Sequence, residues 1–230
     1  KGFTLIEIMI ALMLGLIIIG ATLNIYISTI KASSDTVKSA RLNYDMETAM
    51  QFMINDIRRA GYWGGAVTGS TSTANPFIIG TGNIQLIEPV AVGSTDFTCI
   101  LYTYDSDSDG AINNGEYYGF KLDAGTIKSS SKDTVDDSGD CTKANYWENI
   151  LDSDTVEITS LTFSSVNSKC RNTSTSPDQL CSVGISSGDL AVEARQIDIT
   201  ITGRVKSDTS VTKSLTGFVK VRNNRIYIEL

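Results

Sequence analysis

Between Ile8 and Ile30 the chain carries no charged residue, and most positions are Ile, Leu, Met, Ala or Gly. A run of roughly 23 such residues is long enough to cross a bilayer as a single helix. It does not read as a cleaved secretory signal, which has a shorter apolar core followed by a small-residue cleavage site. Lys1 lies just ahead of the run. By the positive-inside tendency, the N-terminus stays cytoplasmic and the rest of the chain lies outside. One residue breaks the apolar character: Glu7, in Phe3-Thr4-Leu5-Ile6-Glu7. An unpaired carboxylate there costs a few kcal/mol, depending on depth. Either Glu7 sits at the headgroup level, or it finds a cationic partner on a neighbouring molecule.

The helical pattern continues past the apolar run. After Lys31, apolar Val37, Leu42, Met46, Met50, Met53 and Ile57 recur mostly three to five positions apart. Lys38, Arg41, Asp45, Glu47, Asp56 and Arg58 fall between them, which predicts a helix with one apolar face. No proline interrupts before Pro76, and Gly61, Gly64 and Gly65 supply a stop signal. A helix over 3–60 would be on the order of 85 Å long. Its first half needs lipid or other helices around it; its second half can pack on its own domain.

Composition narrows the function classes. Nineteen Lys+Arg against 26 Asp+Glu give a formal net charge of −7. Such a chain has no electrostatic footprint for nucleic acid, and none is expected as a partner. There are no histidines. That removes the commonest general base, the usual Ser-His and Cys-His pairs and most zinc sites. No nucleophile–base pair or phosphate-cradling glycine loop is evident, so the chain does not read as an enzyme. Cys99, Cys141, Cys170 and Cys181 all follow the apolar run, and none forms a C-x-x-C pair. An even set outside the membrane reads as two disulfides. Of three connectivities, sequential pairing (Cys99–Cys141, Cys170–Cys181) is favoured, the second closing a polar loop with Asn172, Thr173, Ser174 and Pro177.

Gly2-Phe3-Thr4-Leu5-Ile6-Glu7 at the head of such a helix resembles the processing site of type IV pilins and related pseudopilins. The resemblance implies that prepilin peptidase cuts after Gly2, leaving 1–2 as the end of a leader, and that Phe3 becomes N-methylated. It also implies that Glu7 pairs with the terminal amine of an adjacent subunit during assembly. Asp56-Ile57-Arg58-Arg59-Ala60-Gly61-Tyr62-Trp63-Gly64 is similar to the helix end of PilW-like minor pilins. The implied partners are other pilin subunits in a homo- or hetero-oligomeric filament, and the inner membrane before assembly.

Beyond Gly65 the chain turns to Ser, Thr, Gly and Asn with short β-prone runs. Phe77–Ile79, Cys99–Tyr104, Tyr117–Leu122, Val156–Phe163, Ala194–Val205, Ser214–Val221 and Arg225–Leu230 read as strands. Gln196-Ile197-Asp198-Ile199-Thr200-Ile201 alternates, so that strand has one wet face. Lys206–Ser210 suggests a hairpin connection, and Lys128–Asp140 a solvated polar loop. The expected architecture is an α+β pilin fold, a long N-terminal helix packed on an antiparallel sheet. Residues 3–60 form the helix, with 3–30 the transmembrane or filament-core part. Residues 61–84 connect it to an extracellular β-rich domain, 85–230.

Asp105-Ser106-Asp107-Ser108-Asp109-Gly110-Ala111-Ile112-Asn113-Asn114-Gly115-Glu116 fits a 12-residue calcium loop at every diagnostic position. Asp105, Asp107 and Asp109 would supply side-chain oxygens and Gly110 the sharp turn. Ala111 would give a carbonyl, Asn113 a side chain or bridging water, and Glu116 a bidentate carboxylate. A hard cation needs such converging oxygens. Ile112 would anchor the loop in the core. Strand-like flanks argue against a helix-opening sensor; the alternative is a plain acidic surface loop.

The leading functional reading is a structural subunit of an extracellular filament, anchored in the inner membrane before assembly. One alternative is a type II secretion pseudopilus subunit. Another is a calcium-dependent adhesin, with Tyr102, Tyr104, Tyr117 and Tyr118 exposed beside the loop.

Overall fold

In the computed structural model, residues 2–64, 74–131, 141, 147–175 and 179–229 are described. A single helix, α1 (Leu5–Ile57, 53 residues), opens the chain. The chain divides into two compact units, Lys1–Arg41 and Leu42–Leu230.

In the first unit no residue of the membrane-length apolar window is buried. Its few polar side chains are satisfied on their own helix. Thr22 Oγ1 donates to the Ile19 carbonyl, Asn24 Nδ2 to Gly20, Ser28 Oγ to Asn24 and Thr29 Oγ1 to Ile25, all at 2.9 Å. This is how hydroxyls and amides are tolerated where water is absent. Burial of this surface must come from lipid or from other chains.

In the second unit α1 turns amphipathic and buries Leu42, Met46, Ala49, Met50, Met53, Ile54 and Ile57. They meet the inward residues of β10 (Gln196–Val205), whose burial alternates strictly, so Ile197, Ile199, Ile201 and Val205 join the core. An eight-stranded antiparallel sheet carries this face. It contains β1 (Gln85–Pro89), β2 (Asp96–Thr103), β3 (Tyr117–Asp123), β4 (Thr126–Ser131), β5 (Trp147–Asn149), β6 (Val156–Ser164) and β11 (Asp208–Lys220), with β10. The order is β11-β10-β6-β2-β3-β4-β5, with β1 also paired to β2. Ile158, Leu161, Phe163, Ile100 and Phe120 complete the core, and Phe52 meets Phe120 edge-on at 5.7 Å. Arg204 and Glu157 are opposite in the β10–β6 register and form a two-point ion pair, at 2.8 and 3.1 Å. A second sheet runs β12-β9-β7-β8, from β7 (Lys169–Asn172), β8 (Gln179–Leu180), β9 (Leu190–Ala194) and β12 (Arg225–Ile228).

Cys99 is joined to Cys141 and Cys170 to Cys181. Three sequence expectations are corrected. Phe77–Ile79 is not a strand. Pro76–Ile78 forms a 3₁₀ turn, because Asn75 Oδ1 accepts the Phe77 amide and Pro76 presets the first helical position. The expected polar loop does not begin at Lys128, since Lys128–Ser131 pair with β3 and lie within β4. The connection at 206–210 is also shorter than expected, because β11 already begins at Asp208. Residues 132–140, Gly65 and Pro177 fall outside the described set.

Candidate functional site

The acidic loop joins β2 to β3 and ends in a single 3₁₀ turn, Asn114–Glu116. Its closing turn is a capping box. Asn113 accepts from the Glu116 amide, and Glu116 Oε2 accepts the Asn113 amide at 3.0 Å. Gly110 takes φ +84°, a left-handed conformation that glycine reaches without a Cβ penalty. One carboxylate oxygen from each of Asp105, Asp107 and Asp109 lies within 4.8 Å of the others. Asp109 and Asp107 are exposed, whereas Asp105 is 2% exposed. The amides of Ala111 and Asp109 close Asx turns on Asp109 and Asp107, at 2.8 and 3.1 Å. These bonds, the Ala111 amide first and the Asn113 side chain next, hold the Asp109 carboxyl below its usual range.

Asp105 is the hub. Its Oδ2 accepts the Gly110 amide at 3.0 Å and the Gly64 amide at 2.8 Å. Its Oδ1 is buried and accepts no hydrogen bond among the described residues. A buried carboxylate oxygen with no donor is costly unless a cation faces it. Glu116, also 2% exposed, accepts the Ser106 amide at 2.6 Å on Oε1. Glu116 is not among the convergent carboxylates, since its Oε1 and Oε2 accept the Ser106 and Asn113 amides; the three that converge offer only oxygen, which fits a hard divalent cation. Ile112 Cδ1 packs over Gly82, where a Cβ would meet it at 2.7 Å.

The loop is fastened to the chain just past the end of α1. The Gly61 amide donates to the Thr103 carbonyl at 2.8 Å and the Asp105 amide to the Tyr62 carbonyl at 3.0 Å. The Trp63 indole donates to the Gly110 carbonyl at 3.0 Å. Gly64 is required by contact: a Cβ there would lie 2.9 Å from Ser108 Cα and 3.0 Å from Asp105 Oδ2. The sequence had marked Gly64 only as a helix stop, and nothing local in it pointed to Trp63 as a brace.

The expectation of four exposed tyrosines is corrected. Tyr102 is 1% and Tyr104 7% exposed, while Tyr117 and Tyr118 are half-buried. Cys99–Thr103 of β2 are buried on both faces, and Tyr102 and Tyr104 belong to the core cluster that α1 shares. Tyr104 stacks on Tyr118 at 4.0 Å between ring centres, and the Arg59 guanidinium lies 4.6 Å over Tyr104. The Tyr102 hydroxyl donates to Asp56, which also pairs with Arg59. Burial pushes the Tyr102 phenol well above its usual range and raises Tyr104 as well.

Residues 1–23 match the prokaryotic N-terminal methylation motif, and residues 35–221 match the prepilin peptidase-dependent protein B family. The chain belongs to that family. No curated protein and no solved structure matches it. As a prepilin peptidase-dependent chain it is a pilin-like filament subunit, processed by prepilin peptidase and anchored in the membrane by its apolar helix before assembly into an extracellular pilus. Pilin-type families are structural, not enzymatic.

At the head of this pilin-like helix, Gly2, Phe3 and Glu7 are exposed. Glu7 is bonded within its own helix turn. Its Oε2 accepts the Thr4 amide at 2.9 Å and the Thr4 hydroxyl at 2.8 Å, and its own amide reaches Thr4 Oγ1 at 3.4 Å. This is a reciprocal capping box, and the Thr-x-x-Glu spacing was the available sequence signal for it.

Proposed function

We propose that this chain is a minor pilin of PilW-like character, packed into the filament through residues 3–30. Prepilin peptidase cuts after Gly2, and Glu7 then pairs with the Phe3 amine of a neighbouring subunit. What supports this reading is the state of the Glu7 carboxylate. Thr4 occupies Oε2, and Oε1 accepts no hydrogen bond among the described residues. A half-satisfied acid in an apolar environment favours a cationic partner.

The loop at Asp105–Glu116 holds calcium in this reading. Asp105, Asp107 and Asp109, the Ala111 carbonyl, Asn113 and Glu116 would hold the ion, and its charge would offset the mutual repulsion of the carboxylates. The buried, donorless Oδ1 of Asp105 is the observation that carries this assignment.

The assembly test is a Glu7→Ala chain expressed in its native cell. It should insert in the inner membrane at normal levels and disappear from the sheared filament fraction. Normal incorporation of that variant would sink the pairing.

A further inference from the structure

A cleft of about 380 Å³ opens between the end of α1, the start of the acidic loop and the turn joining β11 to β12. We propose that it binds a carboxylated saccharide, one uronic acid unit seated between Arg59, Arg222 and the ring of Tyr62. This goes beyond the filament and calcium readings and requires neither.

The volume falls at the lower end for small-molecule clefts, roughly 300–1,000 Å³. Its charges are arranged for one negative group. Arg59 is pinned between Asp56 and the face of Tyr104, which keeps its planar fork ordered while leaving donors unused. Arg222 lines the same cleft. Its amide is tied to the Arg58 carbonyl at 3.2 Å, yet its guanidinium has no ion-pair or hydrogen-bond partner among the described residues. Two guanidinium groups facing one space suit a carboxylate, which accepts bidentate pairing. Asp105 also lines the cleft, so every anion meets one like charge there, and a doubly charged phosphate is repelled more strongly than a singly charged carboxylate.

The remaining walls suit a hydroxylated ring. Tyr62 is 45% exposed and lines the cleft, and an aromatic ring is the kind of surface on which the C–H side of a pyranose can rest. Ser106 contributes a hydroxyl at the rim. Asn223 is held in place because its Nδ2 donates to the Ala60 carbonyl at 3.2 Å and its own carbonyl accepts from Arg195 at 2.7 Å. The polar wall is therefore built before a ligand arrives, which lowers the ordering cost of binding.

The test is calorimetric titration of the full chain in detergent with galacturonate and its dimer, run in a calcium chelator so that the fate of the calcium reading does not affect it. Cellobiose serves as the neutral control and inorganic phosphate as competitor. Uronates should bind, cellobiose should not, and phosphate should compete poorly. Arg222→Gln should weaken uronate binding roughly tenfold or more, as loss of a charged bidentate contact does, with an unchanged melting temperature. Tyr62→Ala, which keeps the backbone bond to Asp105, should weaken both uronates. Absence of uronate binding overturns the assignment. So does equal binding by Arg222→Gln, or displacement by phosphate at equal concentration.

Discussion

The Gly64 amide donates to Asp105 Oδ2 at 2.8 Å, joining two residues 41 positions apart. One carboxylate thereby serves two structures. It closes the acidic loop on Gly110 and ties that loop to the segment leaving α1. With the Trp63–Gly110 bond, it makes the end of the filament helix and the loop one braced joint.

Gly64→Ala should break this joint. The new Cβ would sit against backbone at Ser108, which cannot swing aside as a flexible side chain could. The expected cost is about 1–3 kcal/mol, as for overpacking elsewhere. Denaturant unfolding of the full chain in detergent would measure it; a change within error would show that the loop yields freely.

Calcium should raise the melting temperature of the full chain in detergent. At an ion concentration 100 times the dissociation constant, the gain is about 2.7 kcal/mol. Asp107→Asn, at an exposed position, should reduce the shift without harming the ion-free protein. A melting temperature indifferent to millimolar calcium would remove the ion from the loop.

Tyr102→Phe removes the hydroxyl that donates to the buried Asp56 carboxylate. Arg59 remains, so the expected loss at neutral pH is about 1–3 kcal/mol. The same phenol sets an alkaline limb. Burial first, with Tyr104 second, raises its folded pKa well above the ordinary phenol value of about 10. Its contribution is fully present below pH 10 and declines as pH rises above that, because the unfolded chain ionises first. A pH series of unfolding curves should fall less steeply above pH 10 in the variant; equal slopes would contradict the burial argument.

The two disulfides should differ in weight. Cys99–Cys141 spans 42 positions and Cys170–Cys181 spans 11. Chain-entropy reasoning assigns about 4 and about 3 kcal/mol respectively. Paired Cys→Ser variants, unfolded in parallel, would check the order, and a larger loss from the 170–181 pair would reverse it.

Several features could be read directly from residue order, because they depend on local periodicity. The uncharged run from Ile8 to Ile30, the stripe Leu42–Met46–Met50–Met53–Ile57 and the alternation in β10 each carry their own period. The acidic loop was also legible, since its ligand spacing lies within 12 consecutive residues. Strands that alternate weakly, such as Thr126–Ser131, were not, because pairing with β3 determines them. Pro76–Ile78 depended on an asparagine cap that competes with strand propensity.

The sequence alone determined that a helix of membrane length would lead the chain, that its second half would need a sheet to lie on, and that an acidic loop would sit between two strands. Only the tertiary structure decided that Tyr102 and Tyr104 are interior, that Asp105 meets Gly64, and that Arg59 and Arg222 face one cleft. The physical reason is reach. Helix period and loop spacing act within a few residues, whereas these contacts depend on which strands become central and where the chain returns 40 to 160 positions later.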